Sequence, residues 1–210
     1  MNIPGDIEVA VDQAATINED GPIVVICHPH PLMQGTMENK VVTTTSRAFN
    51  QLGLMAVRFN YRGVGQSAGE YGHILGECED LKKVVAWVRA HYAGRDIWLA
   101  GFSFGSFIAY KMANILDAKQ LLCLAPAVSE RLYHEAEEPL MPVCFMVPDA
   151  DEVVSVAQTF EWLVQLKCSY HLMKLAGVSH FFHGQLRLLK QLIVDHYAPH
   201  ANNAQVLPQN

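Results

Sequence analysis

Between Asp96 and Tyr110 the chain reads as a short apolar strand, a tight turn carrying one serine, and an amphipathic helix. The turn is Gly101-Phe102-Ser103-Phe104-Gly105. A strand that becomes a helix within two residues presses backbone against backbone, so the positions two before and two after the serine must be small. The serine at the tip is held in a strained conformation. The helix that follows aims its first N–H groups at that serine, and this end of a helix favours developing negative charge. The pattern demands a sheet strand ahead of the turn and a helix packed on the sheet behind it. It constrains the fold and marks Ser103 as a candidate nucleophile.

The rest of the chain supplies the sheet. Ile23 to Cys27 is a continuous apolar run ending at two prolines, Pro29 and Pro31, as expected of a strand buried on both faces. Further strands are predicted at Ile7–Val11 (an edge strand), Leu54–Phe59, Gln120–Leu124, Pro142–Val147 and Tyr170–Leu175. Helices are predicted over Asn39–Leu52, Glu77–His91, Ser155–Leu166 and Gly184–Tyr197. Alternation with short connections predicts an α/β fold, a doubly wound and mostly parallel sheet flanked by helices. Such sheets bind ligands at the carboxyl ends of their strands. With 210 residues, half of them hydrophobic and 17% charged, the expectation is one domain over 1–197 and a frayed polar tail over 198–210.

A serine hydroxyl needs a general base, and the base an orienting carboxylate, in the chain order Ser, acid, His for a strand–turn–helix nucleophile. The acid is sought after a strand of the second half, where Asp149, Asp151 and Glu152 stand together. Asp151 is preferred because the turn needs a few residues to swing back, and Asp149 suits a turn-forming role. The base is sought after the last strand, where His180 lies nearer the strand end than His183. Acyl transfer also needs an oxyanion hole. Phe104 N–H supplies one donor, and the other comes from the loop His28 to Gln34, where the prolines have no N–H to offer. His30 and Leu32 both remain open.

A rival reading of the same loop is a metal site built from His28, His30, His180 and His183. No carboxylate accompanies the first pair at ligand spacing, and the prolines stiffen the loop, so no metal or cofactor is expected. A formal net charge of −6 argues against nucleic acid or an anionic membrane surface as partner. The first residues lack the basic and apolar segments of a signal peptide. Five cysteines without C-x-x-C spacing, three of them in predicted strands, suit a reducing cytoplasm.

Five segments together resemble one small bacterial branch of the α/β-hydrolase superfamily, lidless hydrolases akin to dienelactone hydrolase. They are His28-Pro29-His30-Pro31-Leu32 with Gly35-Thr36-Met37-x-Asn39-Lys40-Val41-Val42, then Arg58-Phe59-Asn60-Tyr61-Arg62-Gly63-Val64-Gly65-x-Ser67, Gly101-Phe102-Ser103-Phe104-Gly105, Asp149-Ala150-Asp151-Glu152-Val153 and His180-Phe181-Phe182-x-Gly184. The resemblance implies the α/β-hydrolase fold without a cap domain, and the triad Ser103, Asp151 and His180. The branch usually has two glycines where this chain has Gln34-Gly35. Ser103 in place of the cysteine of dienelactone hydrolases implies ordinary ester chemistry on a small-molecule substrate. Thioester cleavage or acyl transfer would use the same residues, whereas a non-catalytic binding module would not require all three. The charged, short connector from Val128 to Pro139 predicts an open site with little apolar surface and a preference for acyl chains of about two to six carbons.

Overall fold

The computed structural model describes residues 1–4, 6–128, 133 and 135–202. In chain order the elements are β1 (Asn2–Ile3), β2 (Ile7–Asp12), β3 (Ile23–Cys27), α1 (Lys40–Gln51), β4 (Met55–Phe59), α2 (Leu75–His91), β5 (Ile97–Phe102), α3 (Phe104–Met112), β6 (Gln120–Leu124), β7 (Val143–Pro148), α4 (Val156–Leu163), β8 (Tyr170–Leu175) and α5 (Leu186–Asn202). One eight-stranded sheet runs in the order β1-β2-β4-β3-β5-β6-β7-β8. The pairs β1/β2 and β2/β4 are antiparallel and all others are parallel.

Period-2 alternation explains why β3 is apolar throughout. Ile23, Val25 and Cys27 face one core with α2, α3 and α4, while Val24 and Ile26 face the other with α1 and α5. All five β3 residues are buried. The chain steps from β3 to β4 on one side, then crosses back to place β5 on the other side of β3. The loops after β3 and β5 therefore diverge and leave a crevice between them, the position where ligands enter this class of sheet.

Two expectations need correction. The strand at Ile7–Asp12 is not the edge, because Asn2 and Ile3 pair with Glu8 and Ile7 outside it. Two residues are too short for a periodic signal. The final helix does not end at Tyr197 but runs to Asn202, through Pro199. Tyr197 and Ala201, one turn apart, are both buried in the core with α1, and that packing outweighs the proline. The remaining tail, 203–210, lies outside the described residues.

No helix among the described residues is long and apolar enough to cross a membrane. All five cysteines are free thiols, four of them buried. Glu130 and Arg131 of the connector between β6 and β7 lie outside the described residues. Tyr133 of that connector turns inward, buried between Phe107, Tyr110 and Trp162.

Candidate active site

Ser103 stands between β5 and α3 with φ +54° and ψ −117°, a region that L-residues enter only under constraint. Its N–H donates to Leu124 O at 2.9 Å, which ties the turn to the end of β6. The flanking glycines answer to two separate contacts. A Cβ on Gly101 would collide with the Gly105 carbonyl, and one on Gly105 with the carbonyls of Cys27 and His28 at the end of β3. The first contact closes the turn, and the second seats α3 against the neighbouring strand. Gly105→Ala is expected to destabilise the fold by about 1–3 kcal/mol, as overpacking between two backbones does. A melting temperature equal to wild type would show that α3 can move away freely.

His180 bridges the serine and the acid. Its Nε2 lies 3.0 Å from Ser103 Oγ and its Nδ1 lies 2.7 Å from Asp151 Oδ2. Both side chains of the His–Asp pair are almost fully buried, 2% and 4% exposed. The other carboxylate oxygen of Asp151 accepts N–H bonds from Val153 (2.8 Å) and Val154 (2.7 Å). Burial works to raise the Asp151 pKa, but the His180 hydrogen bond and the Val154 and Val153 N–H groups outweigh it and hold it below its ordinary value. An ionised Asp151 that accepts from Nδ1–H leaves Nε2 free to accept the Ser103 proton.

The two other acids have different surroundings. Asp149 Oδ1 accepts from Gly177 N–H at 2.6 Å, and Lys174 Nζ lies 3.6 Å from Oδ2, so it joins the loop after β7 to the loop after β8. Glu152 Oε2 accepts from His180 N–H at 3.0 Å. That contact was not anticipated, since an exposed glutamate beside an acid candidate carries no signal in sequence. His183 is exposed, with its N–H on Ser179 Oγ, and takes no part.

In the loop after β3, His28 is fully buried. Its Nε2 accepts from Tyr61 N–H at 3.1 Å, so Nδ1 carries the proton and donates to Pro29 O at 2.6 Å. Burial pushes its pKa down to about 4, and both ring nitrogens are engaged in the loop's own bonds. The Arg58 to Ser67 segment acts here as the anchor of that loop. Asn60 Oδ1 accepts from Met37 N–H at 2.8 Å, and Arg58 donates to Met37 O at 2.8 Å while pairing with Asp12. Arg62 in turn makes a bidentate pair with the buried Asp80 of α2.

The open choice between His30 and Leu32 meets a geometric difference. Leu32 N–H is already used, donating to His30 Nδ1 at 3.2 Å. Among the described residues neither His30 N–H nor Phe104 N–H has an acceptor within the protein. Their rings pack at a tilt, centroids 4.7 Å apart. Both residues line a cleft of about 880 Å³ together with Ser103 and His180.

The expectation of little apolar surface in that cleft is corrected by its walls. Met33, Val128, Val153, Val154 and Phe181 line it, as do the uncharged polar side chains of Gln34, Asn39 and Gln158. Met33, Val153 and Phe181 remain partly in solvent. Composition of the β6–β7 connector could not show this, because apart from Val128 these apolar groups come from the loops after β3, β7 and β8. Among the described residues no Lys, Arg, Asp or Glu side chain lines the cleft.

Comparison with known proteins agrees with this architecture. Residues 35–148 match the family described as serine aminopeptidase, S33. An alpha-beta serine hydrolase homologue from Coxiella burnetii is 42% identical, with 93% of this chain and 94% of that chain covered and a TM-score of 0.89. An α/β serine hydrolase without a lid from Xanthomonas campestris is 34% identical, covers 96% of this chain and 91% of its own, and has a TM-score of 0.88. An uncharacterized protein of Rickettsia prowazekii is 26% identical over 197 residues, 87% of this chain and 81% of that protein. With the strand–serine–helix turn, the parallel sheet and these relatives in place, the chain belongs to the α/β serine hydrolases.

Proposed function

We propose that the protein is an esterase that cleaves small, uncharged carboxylic esters through an acyl-enzyme on Ser103. The observation that carries this reading is the continuous chain from Ser103 Oγ through His180 to Asp151, at 3.0 and 2.7 Å, opening on a cleft that no Lys, Arg, Asp or Glu side chain lines among the described residues. His180 Nε2 takes the hydroxyl proton as Ser103 Oγ attacks the ester carbonyl. Asp151 stabilises the imidazolium that forms. The oxyanion is held by the N–H groups of Phe104 and His30, two donors that have no acceptor among the described residues. His180 then returns the proton to the leaving alcohol, the carbonyl re-forms, and the acyl group stays on Ser103. Water, activated by the same imidazole, releases the acid and restores the serine.

The described lining, without a carboxylate or a basic Lys or Arg side chain, favours esters over peptides with a free amino terminus. An aminopeptidase must pair the substrate's α-ammonium, and a desolvated ammonium without a carboxylate partner is costly. The apolar wall gives the acyl chain somewhere to lie. Each fully buried methylene is worth about 0.8 kcal/mol, roughly fourfold in kcat/KM, and less in an open cleft. We therefore expect kcat/KM on p-nitrophenyl esters to rise from acetate to about hexanoate and to gain little beyond it. A fluorophosphonate probe should label the protein, and matched thioesters placed in the same panel separate the two leaving groups. Absence of labelling, together with no hydrolysis of any ester in the panel, would refute the reading.

A further inference from the structure

The side chain of His30 has a place in the loop that its backbone alone does not explain. Its carbonyl accepts two N–H bonds, from Met33 and Gly35, each at 3.0 Å. Its imidazole Nδ1 accepts a third, from Leu32 N–H at 3.2 Å, and so caps the 3-10 turn Pro31–Met33. The opposite nitrogen, Nε2, lies 3.3 Å from Tyr71 Oη. The ring packs on Phe104 and on Tyr71, with centroids 4.7 and 5.0 Å apart. Because Nδ1 accepts, the neutral ring carries its proton on Nε2 and donates it to Tyr71.

We infer that the His30 imidazole is a positioning group for the oxyanion hole. It consumes the competing Leu32 N–H, closes the turn behind its own backbone N–H, and braces that turn against Phe104. This inference rests on the proposed roles of Ser103 and of the His30 and Phe104 N–H groups.

The arrangement needs a neutral ring. A proton on Nδ1 would face the Leu32 N–H with a second donor, and the cap would open. Burial already holds the His30 pKa below its ordinary value, against the pull of Glu77. The titratable or charged groups around it are His28 in its own loop, Tyr71 and His73 ahead of α2, Glu77 in the first turn of α2 with Arg62 beyond it, and His180 across the cleft. Glu77 is committed to the N–H groups of Gly72 and Ile74, at 2.8 and 2.7 Å, which limits its reach toward the imidazole.

The test compares His30→Ala with His30→Asn. Alanine keeps the backbone N–H but removes the cap. Asparagine restores an acceptor at the cap position, where its side-chain oxygen is among the best. Deleting a whole oxyanion donor costs about 10²–10³ in kcat, so misplacing one should cost His30→Ala about tenfold or more in kcat, with KM moving less than about threefold. His30→Asn should return kcat to within about threefold of wild type by the same comparison. Equal loss in both variants, or an alanine variant with unchanged kcat, overturns the inference.

A second measurement does not depend on turnover. Long-range 15N correlation spectra of the wild-type imidazole should show the Nε2–H tautomer at neutral pH. A protonated Nδ1 there refutes the cap. Failure of the esterase reading itself would be seen separately, as a wild-type protein that neither labels with a phosphonate nor hydrolyses esters.

Discussion

Ser103→Ala is expected to lower kcat for ester hydrolysis by about 10⁵–10⁶ and to abolish covalent phosphonate labelling, while the protein still folds. Among the described residues the hydroxyl oxygen is the hydrogen-bond partner of His180 Nε2, at 3.0 Å, and alanine leaves the base with nothing to deprotonate. The backbone at 103 does not depend on that oxygen. It is held by the N–H bond to Leu124 O and by the close approach of Gly101 to Gly105. Alanine accepts the positive φ no better and no worse than serine, so the melting temperature should stay within about 3 °C of wild type. The checks are kcat on a butyrate ester, intact-protein mass after phosphonate treatment, and a thermal melt. Labelling of the alanine variant at the wild-type rate would place the nucleophile elsewhere.

Asp151→Asn should cost about 10⁴ in kcat, the scale seen when a triad acid is neutralised. The reason is specific to this loop. One oxygen of Asp151 is committed to the N–H groups of Val153 and Val154, so the amide oxygen of asparagine must take that place. Its NH₂ group is then left facing His180 Nδ1. A donor in that position forces Nδ1 to accept, moves the ring proton to Nε2, and leaves no lone pair for the Ser103 hydroxyl. Asp149→Asn provides the contrast. Its bond to Gly177 N–H can be kept by an amide oxygen, and the loss of the long pairing with partly exposed Lys174 removes little. Activity within about tenfold of wild type is expected, with stability lowered by about 1 kcal/mol. Equal sensitivity of the two positions would reverse the assignment of the acid. The two kcat values, measured side by side on one ester, decide it.

Much of this site is legible in the chain because its constraints are local. The small residues around Ser103 answer to a collision between backbones four residues apart, so their spacing is written within one turn of chain. The apolar run of β3 and the boundaries of β6 and β8 follow from period-2 burial, again a property of neighbours. That loops as far apart as those of Ser103, Asp151 and His180 can meet follows from the parallel sheet, since each strand delivers its loop to the same edge. Even the preference for Asp151 over Asp149 rested on how many residues a turn needs to reach back.

What sequence left open depends on groups far apart in the chain, whose meeting no local pattern encodes. His180 meets a serine 77 positions away and an acid 29 away, and the bond from its N–H to Glu152 exists only because the loops after β7 and β8 leave adjacent strands. The difference between His30 and Leu32 lies in one side-chain bond that consumes Leu32 N–H. The Arg58 to Ser67 motif was visible as a resemblance, but its bonds to His28 and Met37 come from two loops on neighbouring strands. The short β1 and the last turn of α5 have too little periodicity to read, and packing against β2 and α1 decided them. Sequence by itself determined most of the elements, their order and the candidate nucleophile, because sterics and burial act between near neighbours. Tertiary structure decided which acid meets His180, which loop N–H is left without a partner among the described residues and which walls line the cleft, because a loop's direction is set by the distant strands and side chains that hold it.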